Sequence, residues 1–209
     1  MFISNDLINN KVRFMKKIGA LALLMCPTLA FAHPGHTEVG FISGFVHPFT
    51  GIDHLAVMFG LGLVCSLFFT KESANKWLVL VALTVSLGLG SALAIAGFKV
   101  PMFEMMISLS VVLVGALTIC GGLGRSINKW VVCGLAIMTA FHGYVHIIEG
   151  ATATIANFGH YTMGFILSSV GLYVGGLALG SKIAHVSMKP QVCIISGGFY
   201  VALALVLGL

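Results

Sequence analysis

Four imidazoles and two carboxylates stand in two short stretches of an otherwise apolar chain. The first stretch, His47-Pro48-Phe49-Thr50-Gly51-Ile52-Asp53-His54, leads into a segment that runs uncharged from Leu55 to Phe69. The second, Phe141-His142-Gly143-Tyr144-Val145-His146-Ile147-Ile148-Glu149, closes another apolar segment. Neutral imidazoles and carboxylates together suit a borderline divalent cation. Ionisable groups are also expensive to place in lipid, so a functional role is the default reading for them.

Spacing sharpens that chemistry. At about 100° per residue, His142, His146 and Glu149 fall within roughly 60° of one another on one helix face, spread over about 10 Å of axis. His47 and His54 are seven residues apart and share a face if their helix is continuous. Asp53 projects at a different angle from its neighbour His54. It serves either as a direct ligand or as a carboxylate that orients an imidazole, and the sequence leaves both open.

The elements that must position these residues are membrane helices. Of 209 residues, 58% are hydrophobic and 8% charged, the composition of a polytopic membrane protein. The net charge of +5 rests largely on Lys11, Arg13, Lys16 and Lys17, which excludes nucleic-acid binding as its reason. Those charges, the apolar run Ile18 to Met25 and the small-x-small triplet Ala30-Phe31-Ala32 form a secretory signal pattern. Residues 1–32 are therefore read as a cleavable signal peptide and 33–209 as the transmembrane domain. Cys65, Cys120, Cys133 and Cys193 lie singly in apolar segments, as buried small hydrophobes do.

Spanning segments fall at about 41 to 69, 77 to 97, 102 to 123, 130 to 149, 157 to 180 and 191 to 208. The expected fold is all-α, with six transmembrane helices. The first segment is too long for one straight span and holds Pro48 and Gly51, so it is expected to break and restart near Thr50 as an N-cap. Lys71, Lys76, Arg125, Lys129, Lys182 and Lys189 occupy alternate loops, against Lys99 alone on the other side. The positive-inside rule then puts both mature termini outside a bacterial inner membrane. Gly171, Gly175, Gly176 and Gly180 are spaced for close helix packing. Trp77 and Trp130 read as interfacial anchors.

This orientation, taken from Lys and Arg alone, brings both motifs to the outer half of the membrane. Glu104 and His160 start their helices at similar depth, and His33 and His36 lie outside. Of eight histidines only His185 is assigned to the cytoplasmic side. Interhelical hydrogen bonding is the structural alternative for each polar group. Five of them at one depth point instead to a metal site built from His47, Asp53, His54, His142 and His146. Glu149 joins as ligand or gateway, and Glu104, His160, His33 and His36 are secondary candidates. Met58, Met102, Met105, Met106 and Met163 read as packing.

The order of these motifs resembles the HupE/UreJ family of hydrogenase and urease accessory membrane proteins. The match runs from the signal peptide and His33-Pro34-Gly35-His36, through His47-Pro48-x-x-Gly51-x-Asp53-His54, to Phe141-His142-Gly143-x-x-His146-x-x-Glu149. It covers essentially the whole mature chain. The resemblance implies a secondary permease importing Ni²⁺, or in some cases Co²⁺, with His47, Asp53, His54, His142 and Glu149 as transport residues and His146 as the second histidine of its motif. Val145 and Ile147 replace the Ala and Gly usual in the family, which bears on how closely the neighbouring helix approaches.

No prosthetic group is expected; the cation is cargo. The expected partners are the lipid bilayer and a divalent metal ion, with a homo-oligomer compatible with the sequence and no nucleic acid. The inner half of the membrane offers no ionisable residue, so an inward path rests on backbone carbonyls, hydroxyls such as Ser86 or Ser110, thiols or water. Two other classes compete with transport: an intramembrane zinc-dependent hydrolase using the same ligands around a bound water, and a metal sensor, for which larger cytoplasmic loops are expected.

Overall fold

A computed structural model of the chain describes residues 40–70, 72–149 and 155–207, apart from the side chains of 149, 155, 156 and 207. The expected signal peptide, His33 and His36 lie outside the described residues. All regular structure among the described residues is helical: α1 Phe41–Thr50, α2 Ile52–Phe68, α3 Asn75–Ile95, α4 Phe103–Gly122, α5 Lys129–Met138, α6 Ala140–Glu149, α7 Ile155–Ile183 and α8 Lys189–Leu207.

Five of the six expected spans are recovered as separate helices, and the first is a bent pair that makes the sixth if it counts as one span. α3, α4, the α5–α6 stretch Lys129–Ile148, α7 and α8 are each long and apolar enough to cross a membrane. The pair α1 and α2 meets the same test jointly but bends by 81°. The break falls where Pro48 and Gly51 predicted it, with one correction. Gly51, in extended backbone, is the N-cap of α2, whereas Thr50 ends α1 and donates its hydroxyl to His47 O at 2.8 Å. Pro48 lacks the N–H that would continue the helical ladder, which weakens α1 just before the bend.

Large apolar side chains line the exterior as well as the interior. Val81, Val85 and Leu89 form a stripe on α3, and Ile195, Phe199 and Val206 lie on α8; all are more than half exposed. Contiguous apolar surface of this kind belongs against lipid, where only helices with internally satisfied backbones are tolerated. The chain is a multi-pass membrane protein. The four described single cysteines are unpaired thiols, three of them buried, as expected for small hydrophobes.

Without a hydrophobic drive between helices in lipid, packing depends on close backbone approach. α2 lies principally against α7, α4 against α8 and α3 against α6. Gly62 of α2 faces Tyr173 O of α7, while Gly176 of α7 faces Phe59 O of α2, and a Cβ on either glycine would collide with the carbonyl. The same reciprocity joins Gly44 to Gly164, and Gly90 to Gly143. Within the expected glycine stripe, Gly176 and Gly180 make close approaches to α2, Gly175 has ordinary contact with Phe59, and Gly171 has none. Hydrogen bonds reinforce two crossings: Ser66 Oγ donates to Leu177 O at 2.7 Å, and Ser91 Oγ donates to Gly143 O at 3.0 Å.

Candidate metal centre

The two motifs meet inside the bundle. The 81° bend turns α1 back so that the His47 ring lies 5.7 Å from that of His54, although the helix carrying them is not continuous. Gly51 sits at this corner because a Cβ there would stand 2.9 Å from His54 Nδ1. On the opposing side, Gly143 lets α6 rest on the backbone of α3, and its neighbour His142 becomes fully buried.

Four imidazoles cluster as a result. The His146 ring is 4.2 Å from the rings of both His47 and His54, and the His142 ring is 4.5 Å from that of His54. His54 is the hub. Its Nε2 faces His142 Nδ1 at 3.1 Å and also meets Nε2 of His146. Two groups are close enough to hold one ion each: His47, His54 and His146, and Asp53, His54 and His142. His54 belongs to both.

Asp53 faces two imidazoles. Its Oδ1 is 2.9 Å from His54 Nδ1, and its Oδ2 is 3.8 Å from His142 Nδ1. The shorter approach is to the His54 nitrogen that points away from His142 and His146, the geometry of a carboxylate orienting a ligand. It is a short ion-pair distance without hydrogen-bond alignment, and His54 Nδ1 is a buried atom lacking a hydrogen-bond partner among the described residues.

A cavity of about 310 Å³ adjoins the cluster, lined by His47, Gly51, Asp53, His54, Glu104, Ile107, Ser108, Val145 and His146. Glu104 is exposed and sits in the first turn of α4, where the helix dipole favours a carboxylate. It therefore joins the site from its mouth. His160 is exposed on α7 and is not among the cavity-lining residues. Glu149 ends α6, and its side chain lies outside the described residues. Val145 lines the cavity, and Ile147 is buried in the core, so the two departures from the family pattern act in different places.

Three contributors lie outside the motifs. Phe165 is almost fully buried, its ring 4.7 Å from that of His146 and 5.7 Å from that of His54. Tyr161, one turn earlier on α7, lies 6.2 Å from the ring of His47. Ser110 of α4 approaches His142 Nε2 at 3.1 Å. An i, i+4 aromatic pair carries no chemical signature in an apolar helix, and Ser110, expected as a hydroxyl on the inward path, instead stands beside His142 in the centre. Only the packing of α4 and α7 reveals them.

The architecture and the cluster define an all-helical, multi-pass membrane protein with a buried polyhistidine centre suited to a divalent cation. The chain belongs to the HupE/UreJ family: the family model described as HupE / UreJ protein matches residues 21–207. It is 33% identical over 170 residues to Protein HupE of Rhizobium leguminosarum bv. viciae, covering 81% of this chain and 85% of that one. No solved structure matches it.

Proposed function

We propose that this protein is a secondary transporter that imports a divalent transition metal, Ni²⁺ foremost and Co²⁺ next, across a bacterial inner membrane. The observation that carries this reading is His54 Nε2 meeting ring nitrogens of both His142 and His146, with His47 and Asp53 completing two ligand groups around it. Imidazole-rich sites suit nickel and cobalt better than the hard cations that prefer all-oxygen shells. Membership of a family of hydrogenase and urease accessory membrane proteins supports a transporter over an enzyme.

The path begins at the exposed Glu104 and the cavity it borders. A cation there exchanges water for His47, His146 and His54, then for His54, His142 and Asp53, since the shared imidazole lets one set of bonds form as the other is released. Onward passage follows rearrangement of the bundle around the site. The bias of Lys and Arg toward the loops at the far end supports placing the cavity outside, with both mature termini on that side.

Uptake of radiolabelled nickel into proteoliposomes tests the proposal. Transport that saturates in the wild type and falls to background in His54→Ala and His142→Ala is expected. Unchanged uptake in both variants overturns it.

A further inference from the structure

We propose that Ser110 is a positioning residue that sets the tautomer of His142, so that Nδ1 and not Nε2 is presented to the cation. The inference deepens the metal-transport reading and takes His142 as a ligand from it.

The geometry turns on one proton. Ser110 Oγ lies 2.6 Å from Ile107 O, to which its hydroxyl donates, and 3.1 Å from His142 Nε2. A serine hydroxyl has a single proton and two lone pairs. Once that proton is directed at the Ile107 carbonyl, Oγ can only accept from the imidazole, and Nε2 must carry its hydrogen. The reverse arrangement would set the lone pairs of Oγ against those of a carbonyl oxygen at the shorter of the two distances. Ser110 and His142 are both 0% exposed, so water does not compete for either bond.

A neutral imidazole protonated on Nε2 has its lone pair on Nδ1. That atom faces the centre, 3.1 Å from His54 Nε2 and 3.8 Å from Asp53 Oδ2. Ser110 thus engages from α4 the His142 nitrogen turned away from His54, by a hydrogen bond, whereas Asp53 Oδ1 stands 2.9 Å from His54 Nδ1 without hydrogen-bond alignment. Such partners fix ring orientation around metals, and losing one typically lowers affinity about 10- to 100-fold.

The test uses full-length protein with ¹⁵N-labelled histidine, metal-free, in lipid at about pH 8, above the ordinary imidazole range. The His142 resonances are assigned by comparison with His142→Gln. The wild type is expected to show a protonated Nε2 and an unprotonated Nδ1. Ser110→Ala is expected to lose that tautomer preference and to bind Ni²⁺ about 10- to 100-fold more weakly, while Ser110→Thr, which keeps the hydroxyl, retains both. A wild-type spectrum with the proton on Nδ1 overturns the proposal without recourse to any variant, as does a Ser110→Ala protein with unchanged tautomer and affinity. The two readings separate cleanly. An Nε2-protonated His142 in a protein that moves no nickel defeats transport and leaves the role of Ser110; nickel uptake with the proton on Nδ1 does the opposite.

Discussion

His54 Nε2 and His142 Nδ1 lie 3.1 Å apart, joining residues separated by 88 positions in the chain. Each belongs to a different half of the motif pair, and each ring is backed by a different partner, Asp53 for one and Ser110 for the other. The contact makes two segments into one site.

Because His54 is common to both ligand groups, its loss should exceed that of any other single histidine. His54→Ala is expected to weaken Ni²⁺ binding by more than about 100-fold, beyond what loss of an orienting partner costs, whereas His47→Ala leaves the Asp53, His54 and His142 group intact. Calorimetric titration of purified protein in detergent checks the ranking. Equal losses in the two variants contradict a shared ligand.

Asp53→Asn keeps the side chain's shape and removes its charge. With its closer oxygen 2.9 Å from His54 Nδ1, the carboxylate is expected to contribute about 10- to 100-fold in nickel affinity through that ring. Titration of the variant with Ni²⁺ measures the loss, and wild-type affinity would remove Asp53 from the site.

Gly51→Ala tests the corner between α1 and α2. The added methyl carbon would stand 2.9 Å from His54 Nδ1 and 3.3 Å from Asp53 Oδ1, so it displaces the hub of the site while leaving the core of α2 alone. Nickel uptake is expected to fall sharply with little change in the protein's unfolding temperature in detergent. A folded variant with full uptake speaks against this placement.

Gly62→Ala and Gly176→Ala have the opposite profile. Each puts a methyl against a carbonyl of the facing helix, and overpacking of this kind typically costs about 1–3 kcal/mol. Ser66→Ala at the same α2–α7 crossing loses one hydroxyl bond to Leu177 O, worth about 0.6 kcal/mol in membrane bundles. Thermal unfolding should rank the glycine variants well below the serine variant.

Part of this was legible in the residues themselves. The positions of five spans, the break near Pro48 and Gly51 in the first segment, and the two histidine motifs follow from hydrophobic run length, from the missing N–H of proline and from the cost of ionisable groups in lipid. The cap lies one residue beyond Thr50: Thr50 stays the last residue of α1, with its hydroxyl turned back to donate to His47 O, and Gly51 supplies the extended backbone from which α2 starts. The glycine stripe was half right, since spacing marks a face while the neighbour decides which of its members touch.

Residue types and local periodicity therefore determined by themselves a helical membrane protein with imidazoles and carboxylates gathered near one end of two helices. The tertiary structure decided how those side chains are shared. It made His54 the hub, recruited Phe165, Tyr161 and Ser110, and set Glu104 at the cavity mouth but not His160. The reason is physical: a helix's own periodicity fixes which residues share a face, whereas the partner that face meets depends on backbone approach between segments distant in the chain, which no local pattern encodes.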